Sequence, residues 1–581
     1  MSQSQAPFRP VHDDPYTDGP GTAHPEAGRP AEIVRHGELE RQGTAAAAAA
    51  PASDGGPGPI AEAALRRTFA IISHPDAGKT TLTEKFLLYA GAIVEAGAVK
   101  AHGGRRRATS DWMAMEQQRG ISITSTVLRF GYRGHTLNLL DTPGHRDFSE
   151  DTYRVLSAAD AAIMVLDAAK GIEAQTLKLF EVCRARKLPI VTFLNKWDRP
   201  GRDALDLVDE VERMIGVRVT PVTWPVGIPG DFRGVIDRRT GTFLRALRTA
   251  HGATVAPEEP VAPERAAAEE GAAYAQAAEE CELLGEVGAE LDLASFLAGE
   301  SSPLFVGSAL TNFGIRHLLD AVVDLAPAPA PRVDAGGAPR PLDAPFSGFV
   351  FKVQANMDPA HRDRVAFVRV CSGRFERGMP VVHGTTGRTF GTKYASSVFG
   401  AERDTVDEAY PGDVVGLINA TDLHIGDTLY RDDPVAFPPI PSFAPELFVT
   451  ARNIESSRAK QFRRGLVQLE EEGVVQVLHD PDGDPLPILG AVGPMQFEVF
   501  VGRMETELGV RVDLQPTPFT VARRTDAKTA AALAGRSGVR VLRRTDGQRL
   551  ALFQSRFLLD RLAGDHPDWV LDTIVVEGAP G

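Results

Sequence analysis

The stretch with the clearest chemistry is Ser73-His74-Pro75-Asp76-Ala77-Gly78-Lys79-Thr80-Thr81, placed after the short apolar run Thr68-Phe69-Ala70-Ile71-Ile72. A glycine-containing turn between a buried strand and a helix presents backbone amides to phosphate oxygens, and the helix N-terminus adds positive potential. Gly78 lets the backbone approach closely, Lys79 is placed to reach the β- and γ-phosphates, and the Thr80 hydroxyl can ligate Mg2+. Ser73 stands where the usual pattern has its first glycine, which weakens the bare motif. Strand, loop and helix in that order restore it.

Three further groups follow in the order a nucleotide site requires. Asp141-Thr142-Pro143-Gly144-His145 closes an apolar run, so Asp141 can hold the magnesium shell and the Gly144 amide can turn toward the γ-phosphate. By itself Asp-x-x-Gly is a common turn, and its place downstream of a phosphate loop favours the functional reading. Asn195-Lys196-Trp197-Asp198 follows another apolar run. The Asp198 carboxylate can accept from guanine N1 and the 2-amino group. Adenine lacks that donor pair, so GTP is preferred over ATP by about 2–4 kcal/mol. Ser308-Ala309-Leu310 fits a loop that backs the base with amides. Between Lys79 and Asp141 lies Glu116-Gln117-Gln118-Arg119-Gly120-Ile121-Ser122-Ile123-Thr124, the position of a nucleotide-sensing switch. Ser122, or alternatively Thr124, would complete the magnesium shell there. A plain edge strand is the alternative reading.

Positioning these groups takes apolar runs at 68–72, 136–140, 161–166 and 188–194 with helical patterns between the later ones. That alternation predicts an α/β domain, a P-loop GTPase fold with a parallel-rich sheet. It spans 65–326. About 110 residues separate Asp198 from Ser308, which calls for an inserted subdomain at about 222–298. Residues 250–300, rich in Ala and Glu, read as exposed helix. Ala326-Pro327-Ala328-Pro329-Ala330-Pro331 opens a stiff linker over 327–343. Short β-rich runs at 346–353, 364–370 and 414–417 predict a β-barrel domain over 344–438. Helical patterns at 458–472 and 495–508, each followed by a strand-like run, predict a small α+β domain over 439–581. The Pro-, Gly- and Ala-rich residues 1–64 read as a disordered tail.

The chain has 581 residues, a net charge of −14 and three cysteines, Cys183, Cys281 and Cys371, with no CxxC pair. Disulfide frameworks and zinc sites are thereby disfavoured, and a reducing cytoplasm is expected. No apolar run of about 18 residues predicts a membrane span. The acidic balance argues against general nucleic-acid binding and leaves room for a local basic face.

On these motifs the chain resembles the translational GTPases. Asp76 to Thr81, Arg119 to Thr124, Asp141 to His145 and Asn195 to Asp198 carry that likeness. Ser73-His74-Pro75-Asp76, Ser110-Asp111-Trp112-Met113, Asp147 to Arg154, Thr223-Trp224-Pro225, Phe351 to Pro359, His361-Arg362-Asp363-Arg364 and Phe443-Ala444-Pro445-Glu446 point to the branch acting at termination. The resemblance implies a ribosome-activated GTPase, expected to be monomeric, that binds GTP/GDP with Mg2+. It implies a role in promoting departure of the codon-reading release factors after peptide release. His145 matches the family's catalytic histidine, which orients the attacking water. His361 to Arg364 and Arg458-Ala459-Lys460-Gln461-Phe462-Arg463-Arg464 become candidate ribosomal RNA contacts, against the alternative of solvated faces. Arg105-Arg106-Arg107 reads as loop. Competing readings are an elongation factor G-like translocase or ribosomal-protection GTPase, a non-catalytic guanine-nucleotide adaptor, and a stress-linked GTPase on RNA or membrane. The roughly 250 residues beyond the linker leave room for a barrel and one further domain, which favours the termination branch.

Overall fold

A computed structural model describes residues 57–93, 124–247, 254–355, 364–399, 402–418, 420, 422–440, 444–480 and 486–572. Ser122, Ser110 to Met113, Arg105 to Arg107, His361 to Asp363 and residues 1–56 of the expected tail lie outside them. The tail reading needs one correction. Pro59–Ala64 forms a helix, α1, with Pro59 in its first turn. Proline's fixed φ suits that position. Glu62 of this helix is held by Arg66, which also bonds Asp413 at 2.9 Å.

Strand β1 (Arg66–Ser73) lies in the middle of a seven-stranded sheet and runs parallel to both of its neighbours, β3 (His135–Asp141) and β4 (Ala161–Asp167). The sheet continues in parallel through β5 (Ile190–Asn195), β11 (Ser301–Val306) and β6 (Arg218–Pro221). The hairpin strand β2 (Thr126–Tyr132) forms an antiparallel edge, making the sheet mixed. Because both faces are covered, the central strands are buried throughout, which explains their unbroken apolar runs. Connections leave β1 to opposite sides, so the crevice at the carboxyl ends opens beside it. Ser73, Asp141, Asp167, Asn195 and Val306 end their strands at that rim.

The segment between β6 and β11 builds a second sheet. Its strands β7 (Thr223–Val226), β8 (Gly234–Asp237), β9 (Thr242–Ala246) and β10 (Glu258–Val261) form an antiparallel sheet backed by helices Pro263–Glu270 and Ala272–Glu286. The purely helical reading of 250–300 therefore missed β10, a four-residue strand identified by its pairing with β9 rather than by a local pattern. Fully buried Trp224 donates to Glu280 at 2.7 Å and ties sheet to helix.

The linker is docked rather than free. Its strands β12 (Arg332–Val333) and β13 (Pro339–Arg340) pair with each other, and the Arg332 guanidinium lies 3.7 Å above the Phe349 ring. Burial pushes that guanidinium down to about 10. Next comes a curled eight-stranded antiparallel sheet that includes Ser347–Ala355, Arg364–Ser372 and Val414–Ile418, around a core of Val350, Val368, Val381 and Leu429. The last part is a seven-stranded antiparallel sheet with helices Ala459–Glu471 and Pro494–Leu508 packed through Phe462, Leu466 and Phe500.

Candidate functional site

The phosphate loop leaves β1 at Ser73, an extended position that does not require glycine. Glycine is required five residues later. Gly78 has φ +101°, and a Cβ there would overlap the Asn195 amide. Asp76 also takes a left-handed conformation, with φ 65°. Such alternation turns successive amides toward one concavity. Helix α2 (Lys79–Tyr89) starts directly after Gly78, so its unsatisfied N–H groups border the same space. Lys79 is 6% exposed, and its Nζ would lie 2.9 Å from a Cβ on Gly144. Phosphate loop, lysine and the Asp141–Gly144 turn therefore converge with no space for another side chain.

Asp141 closes β3 opposite Ile71 and Thr126 and is 2% exposed. Thr142 donates to the Ile71 carbonyl at 2.7 Å, which fixes the turn. A serine or threonine hydroxyl at the helix start with one buried carboxylate is an oxygen-donor set suited to a hard cation such as Mg2+ that shares its shell with phosphate and water. Among the described residues no group of three His, Cys, Asp or Glu forms a closed metal cage. Thr124 lies just before β2. Its neighbour Ser125 donates its amide to Asp151 at 3.1 Å.

At the other end, Asn195 joins two loops. Its Nδ2 donates to the Ala77 carbonyl at 2.7 Å and its Oδ1 accepts from the Ala309 amide at 2.9 Å. Ser308 donates to Asp198 at 2.5 Å, and the Thr311 amide returns to the Ser308 hydroxyl at 3.2 Å. The Asp198 carboxylate is thus held by the neighbouring loop. Lys196, in a left-handed conformation, pairs with Asp167 at 2.9 Å. Burial works against the Asp167 charge, but Lys196 and the Ala169 amide outweigh it and hold the carboxyl below its usual range. Two residues expected among the nucleotide contacts have their side chains in the core. Trp197 is 1% exposed within the hydrophobic cluster, and His74 is fully buried with Nδ1 3.0 Å from Glu173. Burial lowers the His74 pKa, with Glu173 opposing. Leu310, by contrast, is exposed.

His145 caps the short turn Arg146–Phe148, its Nδ1 accepting the Asp147 amide at 3.3 Å, and its ring packs edge-on to Phe148. Several partners of this end were not legible in the motifs. Lys352, buried in the second domain, donates to the Ser125 carbonyl and, at 2.8 Å, to its hydroxyl. Asp147 is 1% exposed and accepts from the Met495 amide of the third domain at 2.7 Å. Its place two residues beyond His145, inside a turn, was the available local signal. Lys352 stands within the Phe351 to Pro359 segment that carries the family likeness, but neither it nor Met495 signalled this contact.

Comparison with known proteins agrees with this architecture. Residues 65–328 match the elongation factor Tu GTP binding domain, 345–432 match elongation factor G domain 2, and 437–563 match the class II release factor RF3 C-terminal domain. The chain is 51% identical over 520 residues to a peptide chain release factor 3 of Microcystis aeruginosa, covering 88% of this chain and 96% of the relative. It is 55% identical over 472 residues to that of Gloeobacter violaceus, covering 81% and 89%. A crystal structure from Thermus thermophilus shares the fold at TM-score 0.63 and 24% identity, over 84% of this chain and 72% of that one.

Proposed function

The chain belongs to the peptide chain release factor 3 family and is a ribosome-associated translation-termination GTPase, and from that premise we propose how its residues divide the work. The amides of the loop from Ser73 to Thr81, with Lys79, hold the β- and γ-phosphates. Thr80 and Asp141 would hold Mg2+, and Ser122 or Thr124 would add a further oxygen when the γ-phosphate is present. Asp198, oriented by Ser308, reads guanine. The ion would neutralise charge on the phosphate oxygens, and Lys79 shares that task.

His145 orients the attacking water. The γ-phosphoryl transition state needs little covalent chemistry from the protein, so positioning one water in line controls the rate. Loss of the γ-phosphate would release the Gly144 turn and the segment ending at Thr124 together. In the cell this cycle would promote departure of the codon-reading release factors, with the chain acting as a monomer in the cytoplasm. Among the described residues no helix is long and apolar enough to cross a membrane. The observation that supports this division best is the convergence of Lys79 Nζ on Gly144, 2.9 Å from the Cβ position.

The test is GTP hydrolysis by the purified chain with and without empty 70S ribosomes, beside His145→Ala. We expect ribosomal stimulation by orders of magnitude in the native chain and a loss of about 10²- to 10⁴-fold in the variant, with GDP affinity unchanged. Equal stimulated rates would remove His145 from the reaction.

A further inference from the structure

Asp147 joins two parts of the molecule that the nucleotide motifs do not connect. Its Oδ2 accepts the Met495 amide at 2.7 Å, in the first turn of helix Pro494–Leu508. A helix leaves its first N–H groups unsatisfied, so this carboxylate is an N-terminal cap supplied from another domain. The turn that presents the amide is held rigidly, since Gln496 accepts from Val492 at 2.7 Å and from Gly493 at 3.2 Å. Gly493 is buried directly against Asp147, and a Cβ there would overlap the carboxylate. Phe148, Val499, Val474 and Met495 seal the contact with apolar surface.

The other carboxylate oxygen is buried and makes no hydrogen bond, although it lies 3.4 Å from His145 Nδ1 and 3.5 Å from Arg146 Nε. A buried carboxylate oxygen left unsatisfied is costly, so it stands as an acceptor in reserve. The Asp147 amide now donates to the same imidazole nitrogen. A small ring movement would exchange that bond for one from Nδ1–H to the carboxylate, moving the ring proton and freeing Nε2 to accept from water.

We propose that Asp147 is a positioning residue through which the third domain, by way of Gly493 and Met495, sets the orientation and tautomer of His145. The inference rests on the assignment of His145 to water orientation. It makes the placement of the third domain a determinant of GTP turnover without contact to the nucleotide.

The experiment measures ribosome-stimulated GTP hydrolysis, separating kcat from the ribosome concentration at half-saturation, for Gly493→Ala, Asp147→Asn and His145→Ala and for each of the first two combined with the third. Asp147→Asn keeps an acceptor for Met495 while removing the charge, and carries the test by itself if Gly493→Ala does not fold. Both single variants should lower kcat by about 10- to 100-fold, with half-saturation and GDP affinity unchanged. In the His145→Ala background neither should cost more than about twofold, because both act through that ring. Unchanged kcat in Asp147→Asn, or the same loss with and without His145, would overturn the positioning role while leaving the catalytic assignment intact. If His145→Ala alone keeps the native rate, the catalytic assignment fails first and the inference fails with it.

Discussion

The two ends of the nucleotide site are built differently. At the end proposed to read guanine, the bonds stay inside the first domain: Asn195 to Ala77 and Ala309, Ser308 to Asp198, Lys196 to Asp167. At the end proposed to meet the γ-phosphate two segments are tied outward, Ser125 to Lys352 of the second domain and Asp147 to Met495 of the third. The residues proposed to read the base are thus held within one domain. The end proposed to be catalytic takes contacts from the neighbouring domains, and on that reading a partner moving whole domains would gain control of the rate.

Substitutions at the two ends should therefore separate affinity from turnover. The largest expected effect is at Asp198. Asp198→Ala should weaken GTP binding by about 2–4 kcal/mol and erase discrimination against ATP, while the rate at saturating GTP stays near native. Equilibrium titration with a fluorescent nucleotide measures it, and a large fall in kcat would break the division. Asn195→Ala strands a buried carbonyl and a buried amide, so it should cost about 2 kcal/mol in nucleotide affinity, again with ribosome-stimulated kcat preserved. Lys352→Met keeps the length of the side chain and loses the bonds to Ser125. It should lower stimulated kcat about tenfold, roughly 1.4 kcal/mol in the barrier, with GTP affinity unchanged. An effect on affinity instead would move Lys352 to the binding side.

The smallest effect concerns the scaffold of the outward-tied end. His424 of the second domain is bonded to Asp427 and faces Glu471 of the third at 3.4 Å, and these carboxylates raise its pKa to about 9. A raised folded value means that the stabilisation is complete below the ordinary value of 6.5 and is lost as pH rises through about 9. The ring is 56% exposed, so screening limits the contribution to under about 1 kcal/mol. His424→Gln should flatten the fall in Tm between about pH 7 and pH 10 relative to the native chain by that amount. Identical slopes would remove this ion pair from the domain contact.

How far the sequence reached follows the same line. Gly78, Lys79, Asp141, Asn195 and Asp198 could be proposed from the sequence because a phosphate loop and the turns after strands depend on local backbone geometry: a left-handed glycine, a helix start, a strand terminus. The parallel-rich sheet was legible because buried strands must be apolar throughout. The inserted antiparallel sheet was not, since β7 to β10 are four or five residues long and acquire their identity from pairing. Trp197 was placed among nucleotide contacts by its motif, while packing buried its indole in the core. The sequence by itself thus determined the guanine-nucleotide class and the loop proposed to hold the phosphates. Only the tertiary structure decided what holds the catalytic end, because Lys352 is 227 residues from Ser125 and Met495 is 348 from Asp147, and contacts across such separations arise from how whole domains pack, not from local spacing.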